Sequence, residues 1–146
     1  MRTLLLFALW SLAAACDPTD YAAIVVAPRP VVRSDSSRAE FGKSAIAILD
    51  RVAKRNGLHP YVDKNPQSKW SECLGHENFN VCAGPRDSVI EVFFWEWARF
   101  SPLAHAVQLD VAESLRAEFG TQWVRECDLR RRRMTCPTLA QIDSAR

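Results

Sequence analysis

The stretch DSVIEVFFWEWARF, residues 87–100, alternates in a way that decides the fold. Successive side chains of a strand point to opposite faces. Ile90, Val92 and Phe94 therefore share one face, and Val89, Phe93, Trp95 and Trp97 share the other with Glu91. Both faces are largely apolar. One is expected to pack under helices, and the other either meets something else in the domain or stays exposed as an adhesive surface. Glu91 and Glu96 fall on opposite faces of such a strand, so they cannot flank one glycosidic bond as a catalytic pair.

Immediately before this strand, Gly84-Pro85-Arg86-Asp87 reads as a turn. Further upstream, WSECL and FNVCA are two alternating segments separated by GHEN. A two-residue loop at Glu77-Asn78 places Cys73 directly opposite Cys82 on paired strands, at the short separation a disulfide needs. LHPYV is a short strand candidate and DKNPQSK a loop. Before them, Ser37-Arg38-Ala39-Glu40 has capping-box spacing. Phe41, Ala45, Ile48, Leu49, Val52 and Ala53 then recur as one helical face, and Asn56-Gly57 suits a left-handed C-cap. Lys43, Asp50, Arg51, Lys54 and Arg55 turn towards solvent on this reading.

Downstream, Ser101-Pro102 starts a second helix, with serine at the N-cap and proline at N1. Its apolar stripe is Leu103, Ala106, Val107, Val111, Leu115 and Phe119, and Gly120 closes it. TQWVREC reads as one more strand, followed by a basic turn and MTCP. Cys127 and Cys136 repeat the spacing of Cys73 and Cys82, which favours the pairings 73–82 and 127–136, although four cysteines allow three connectivities. The expected fold is α+β: an antiparallel sheet of about four to five strands, two helices on one face, and two disulfides.

The N-terminal residues carry a different message. Arg2 precedes an apolar run from Leu4 to Leu12, too short to span a bilayer as a helix, and Ala13, Ala14 and Ala15 follow it. That is the layout of a secretory signal with a small-residue cleavage site, over residues 1–15. Five cysteines leave one unpaired if the other four form bridges, and Cys16 stands just after the cleavage site. The stretch LAAAC, with Leu12 and three alanines before Cys16, resembles the lipobox of bacterial lipoproteins. The resemblance covers the leader alone and implies a lipid, with its palmitate-type acyl chains, on Cys16, which becomes the mature N-terminus. It places the protein on the periplasmic side of the cell envelope. Asp17 resembles the inner-membrane retention signal of enterobacterial lipoproteins, but inner and outer membrane both remain open.

Residues 16–37 are then expected to be the lipidated cysteine and a tether, and residues 38–146 a single α+β domain. Pro18, Pro28 and Pro30 favour extended backbone, and about 20 such residues reach on the order of 65 Å. The competing reading makes AAIVVA and PVV edge strands. Loss of residues 1–15 removes Arg2 and takes the formal charge from +2 to +1. An exported, nearly neutral chain is not expected to bind nucleic acid. No second apolar stretch approaches the roughly 20 residues of a membrane-spanning helix.

Few residues point to chemistry. Cys73, His76 and Cys82 have a spacing that would supply three metal ligands, with Glu77 beside them as an acid or base. In an oxidising compartment the two cysteines are expected to bridge instead, which removes both thiolates. His59, His76 and His105 are scattered, and no pattern implies a cofactor or a metal. Two features suit binding. Trp95, Trp97 and Arg99 end the aromatic strand, and tryptophan and arginine dominate protein interfaces. Arg130, Arg131, Arg132 and Arg133 lie between the last two cysteines, where a closed loop would preorganise their guanidinium groups for carboxylates or phosphates. The expectation is a lipid-anchored protein-binding module, not an enzyme, of inhibitor or immunity type, with an envelope or secreted protein as partner. The alternatives are an accessory subunit of an envelope or secretion complex, and an envelope hydrolase using His76, Glu77, Glu91 or His105 on peptidoglycan or glycan.

Overall fold

The computed structural model of the chain describes residues 19–28, 35–61, 70–86, 89–97 and 99–128. Its elements are β1 (Asp20–Val26), α1 (Asp35–Arg55), β2 (His59–Pro60), β3 (Glu72–His76), β4 (Phe79–Arg86), β5 (Val89–Glu96), α2 (Pro102–Phe119), a short 3-10 turn (Thr121–Trp123) and β6 (Val124–Asp128). The strands form one antiparallel sheet in the order β2-β3-β4-β5-β1-β6. Leaving aside the β2–β3 extension, the chain runs β-α-β-β-α-β with β1 inside the sheet. That is the split βαβ plan.

The strand β5 lies inside the sheet, between β4 and β1. Ile90, Val92 and Phe94 of β5 join Ile24 and Val26 of β1, Val81 of β4 and Val124 of β6 in one buried cluster. The same cluster takes Ala45, Ile48, Leu49, Val52 and Ala53 of α1 and Ala104, Val107, Val111, Ala112 and Leu115 of α2. Both helices therefore pack on one face of the sheet, and the α+β class holds. The stripe of α2 differs at three residues: Ala104 and Ala112 are buried, while Ala106 is exposed.

The helix ends follow backbone chemistry. Gly57 has φ +75°, Leu58 N–H donates to the Ala53 carbonyl at 2.9 Å, and Gly57 N–H donates to that of Lys54 at 3.2 Å. This left-handed cap satisfies two carbonyls the helix would leave orphaned, with Leu58 buried against the core. At the other helix, Ser101 Oγ accepts from Ala104 N–H at 3.2 Å, as the serine-proline pair predicts. Two carboxylates add to this start. Asp20 Oδ2 accepts from Phe100 N–H and Glu96 Oε2 from Ser101 N–H, and Asp20 and Glu96 are register partners on adjacent strands.

Several expectations need correction. The sheet has six strands, not four to five. The addition that matters is β1, because residues 20–26 were assigned to a tether and the domain to residues 38–146. Asp20–Val26 instead pairs along its length with β5 and also with β6. The prolines read as tether signals, Pro18, Pro28 and Pro30, all lie outside the strand and bound it, whereas Ile24, Val25 and Val26 favour it. Similarly, α1 begins at Asp35, so Ser37 lies inside the helix instead of capping it. Gly84-Pro85-Arg86 is not a turn but the end of β4. Ser71 N–H donates to the Ala83 carbonyl, so Ala83 directs its backbone groups towards the β3 side, and Pro85, two residues on, does the same. The last β3 pair is Glu72 with Ala83, so the donor that Pro85 lacks has no ladder partner there.

The β3–β4 hairpin matches its prediction. Its two-residue turn is Glu77-Asn78, with Glu77 at φ +52°, and Cys73 pairs with Cys82 in register. They form a disulfide with 4.1 Å between Cα atoms. Of the two expected disulfides, this is the one whose partners both lie among the described residues. Cys127 is disulfide-bonded too, but Cys136, its expected partner, lies outside them.

Candidate functional site

The sheet face opposite the helices is covered by no described helix, and its composition follows from strand parity. A row of register partners crosses it: Cys73 and Cys82, Phe93, Ala23 and Cys127. One step along, Asn80, Trp95 and Tyr21 form the neighbouring row. Phe93 sits among three rings. Tyr21 stacks with it at 5.9 Å between centroids, Trp70 at 5.8 Å, and Trp95 lies tilted at 5.7 Å. Phe93, Trp95, Tyr21 and Trp70 are all half-buried, so the cluster keeps accessible ring surface.

On the other side of Phe93, Glu91 is buried and its two carboxylate oxygens accept from Arg86 Nη1 at 2.9 and 3.1 Å. The guanidinium is about half exposed, so the pair runs from the sheet surface to solvent. Beyond the opposite end of the aromatic rows stands Trp97, 62% exposed, the most exposed large apolar residue among the described ones. Its N–H donates to the Asn78 carbonyl at 3.3 Å, which fixes it beside the hairpin turn. Arg99 is exposed two residues further on.

Of the residues expected to bind protein, Trp97 and Arg99 are thus exposed at one end of the sheet. Trp95 is half-buried and belongs to the ring cluster. Arg130, Arg131, Arg132 and Arg133 lie outside the described residues, as do Cys16 and residues 1–15. Tyr21 and Trp70 were not foreseen as members of the cluster. The signal for Tyr21 was present in the alternation of Tyr21, Ala23 and Val25 against Ala22, Ile24 and Val26, which places the tyrosine on the face of Phe93.

The acid-base candidates do not converge. His76 and Glu77 are at the hairpin turn, level with Glu96 through Phe79. Glu91 lies five residues along β5 from Glu96, a distance of roughly 17 Å. His105 is on the helix side, its ring edge-on to Phe100 at 5.9 Å. His59 is exposed on the short edge strand β2. The disulfide withdraws Cys73 and Cys82 from metal binding, and no group of three or more metal-ligating side chains is gathered among the described residues.

A cavity of about 340 Å³ opens on the other face, between α2 and β1. Ala22, Ile24, Phe94 and Phe100 form much of its wall, and Gln108 of α2 lines it. Gln108 Nε2 is buried with no hydrogen-bond partner among the described residues.

No protein-family model matches the chain, and neither curated proteins nor solved structures show detectable similarity to it. Among the described residues no helix is long and apolar enough to cross a membrane.

Proposed function

We propose that this is an exported protein, anchored by lipid at Cys16 on the periplasmic side of the envelope, which acts as a protein-binding module of inhibitor or immunity type. The observation that carries the binding role is the helix-free sheet face. Four half-buried rings cluster there, and the exposed Trp97 and Arg99 stand at its end. Large aromatic side chains held rigid by their neighbours lose little conformational freedom when a partner covers them, and tryptophan and arginine are the residue types that dominate such contacts. Arg130 to Arg133 extend the proposal to an acidic patch on the partner.

Capture from envelope and secreted fractions by the immobilised, oxidised domain, residues 17–146, tests this reading. One stoichiometric partner is expected with the parent protein, and it is lost with Trp97→Ser at unchanged melting temperature. Its identity separates an inhibitor from an assembly subunit. Capture that neither Trp97→Ser nor charge reversal of Arg130 to Arg133 weakens would remove both surfaces from the proposal. Anchoring is read separately, as palmitate labelling of the full chain that Cys16→Ala abolishes.

A further inference from the structure

Cys127 is disulfide-bonded, and Cys73 and Cys82 are bonded to each other, which leaves Cys16 and Cys136 as its possible partners within the chain. The place of Cys127 in β6 decides what that partner must do. Ala27 N–H donates to the Trp123 carbonyl at 2.9 Å, so Trp123, Arg125 and Cys127 direct their backbone groups to β1. Val124, Glu126 and Asp128 direct theirs to the outer edge of β6, which pairs with no other described strand. On that edge Cys127 is therefore at a position where neighbouring strands approach closely without exchanging hydrogen bonds. Cys73 stands in the same relation to Cys82. Its carbonyl accepts from Tyr61 N–H on the β2 side, and its Cα lies 4.1 Å from that of Cys82. Cys136 follows Cys127 at the same separation of 9 residues.

We infer that residues 134–136 return along the outer edge of β6 as a seventh strand, joined to it by a Cys127–Cys136 bond. The register of the β3–β4 hairpin carries over: Asp128 faces Thr135, Arg130 faces Arg133, and Arg131-Arg132 is the two-residue turn. The strand stops at Cys136, because Pro137 has no N–H to give the Glu126 carbonyl. Neither arginine of the turn favours positive φ, and Arg130 and Arg133 set like charges directly opposite each other. The turn thus works against the pairing, and the disulfide holds it. While the bond is intact the chain fills its own strand-docking edge; breaking it opens that edge as a template for another strand. This placement is independent of the aromatic face. Asp128 faces Ala22 across the β1–β6 ladder, so the turn lies at the Asp20 end of the sheet, and the arginines of the protein-binding reading gain a fixed position there.

The oxidised full chain provides the test. Trypsin cuts within the arginine run, so mass spectrometry under non-reducing conditions is expected to find residues 126–130 joined to residues 134–146. A Cys16–Cys127 bond would overturn the placement, and the lipid on Cys16 with it. Amide exchange of the ¹⁵N-labelled chain reads the pairing itself. Arg133 and Thr135 N–H are expected to exchange at least about tenfold more slowly than those of Met134 and Cys136, which face away from β6. In the Cys127→Ser/Cys136→Ser variant this difference disappears, while Arg125 N–H, directed to β1, stays protected. Equal exchange at the four amides of the oxidised chain would overturn the seventh strand even with the bond in place. Slow exchange that survives loss of the bond, or loss of protection at Arg125 along with the rest, would overturn the role of the disulfide as the local clasp.

Discussion

Glu91 and Arg86 show most clearly what a single side chain contributes here. A carboxylate almost removed from solvent depends on its guanidinium partner Arg86, which is itself half exposed. Removing the cation leaves an uncompensated buried charge, whereas replacing both groups by apolar ones removes the problem. Arg86→Ala is therefore expected to cost about 1–3 kcal/mol, and the same change in a Glu91→Leu background close to nothing. A double-mutant cycle in urea reads the difference, and equal costs in the two backgrounds would show that the pair is not coupled. The sequence announced some residues and hid others. Cys73 and Cys82 were legible because a two-residue turn and a period of two determine which residues face each other. Gln108 was not, since a glutamine on a helix looks the same whether its amide nitrogen meets water or is buried.

Among the elements, β1 carries the main lesson. Its residues were visible as β-branched and apolar, but three prolines nearby made an extended tether the simpler reading. Proline marks where a strand ends as readily as where none exists, and here Val26 closes the strand two residues before Pro28. The two readings differ sharply in energy. In a tether, Ile24→Ala has almost no effect. In a strand buried between β5 and β6, with Ile24 3% exposed, it is expected to cost about 2–4 kcal/mol, measured as a fall in the urea midpoint at constant slope. By contrast, both helices were legible to within a few residues. Their apolar stripes and terminal Asn56-Gly57, Ser101-Pro102 and Gly120 are local signals that tertiary packing did not override. Pro85 misled in the opposite sense from the other prolines, since it looked like a turn but sits in β4 beyond the reach of β3.

For the molecule as a whole, the strand order makes the N-terminal strand indispensable, because β1 is what joins β6 to the rest of the sheet. A chain beginning at residue 17 is expected to unfold cooperatively in urea, and one beginning at residue 27 to show no cooperative transition. Cooperative unfolding of the shorter chain would mean that β5 and β6 hold together without it. The fold class was readable because it depends on repeated local patterns; the strand order was not, because it depends on which distant strands choose each other. The position of β1 also bears on where the protein stands relative to a bilayer. With the lipid on Cys16 as proposed, only Asp17, Pro18 and Thr19 separate it from Asp20, and four residue steps reach at most about 14 Å. The end of the sheet that holds Asp20, with its register partner Glu96 and the exposed Trp97 just beyond, then rests at the headgroup layer instead of riding about 65 Å above it. Tryptophan is at home in that layer. A partner of the aromatic face would have to come down to the lipid to reach it.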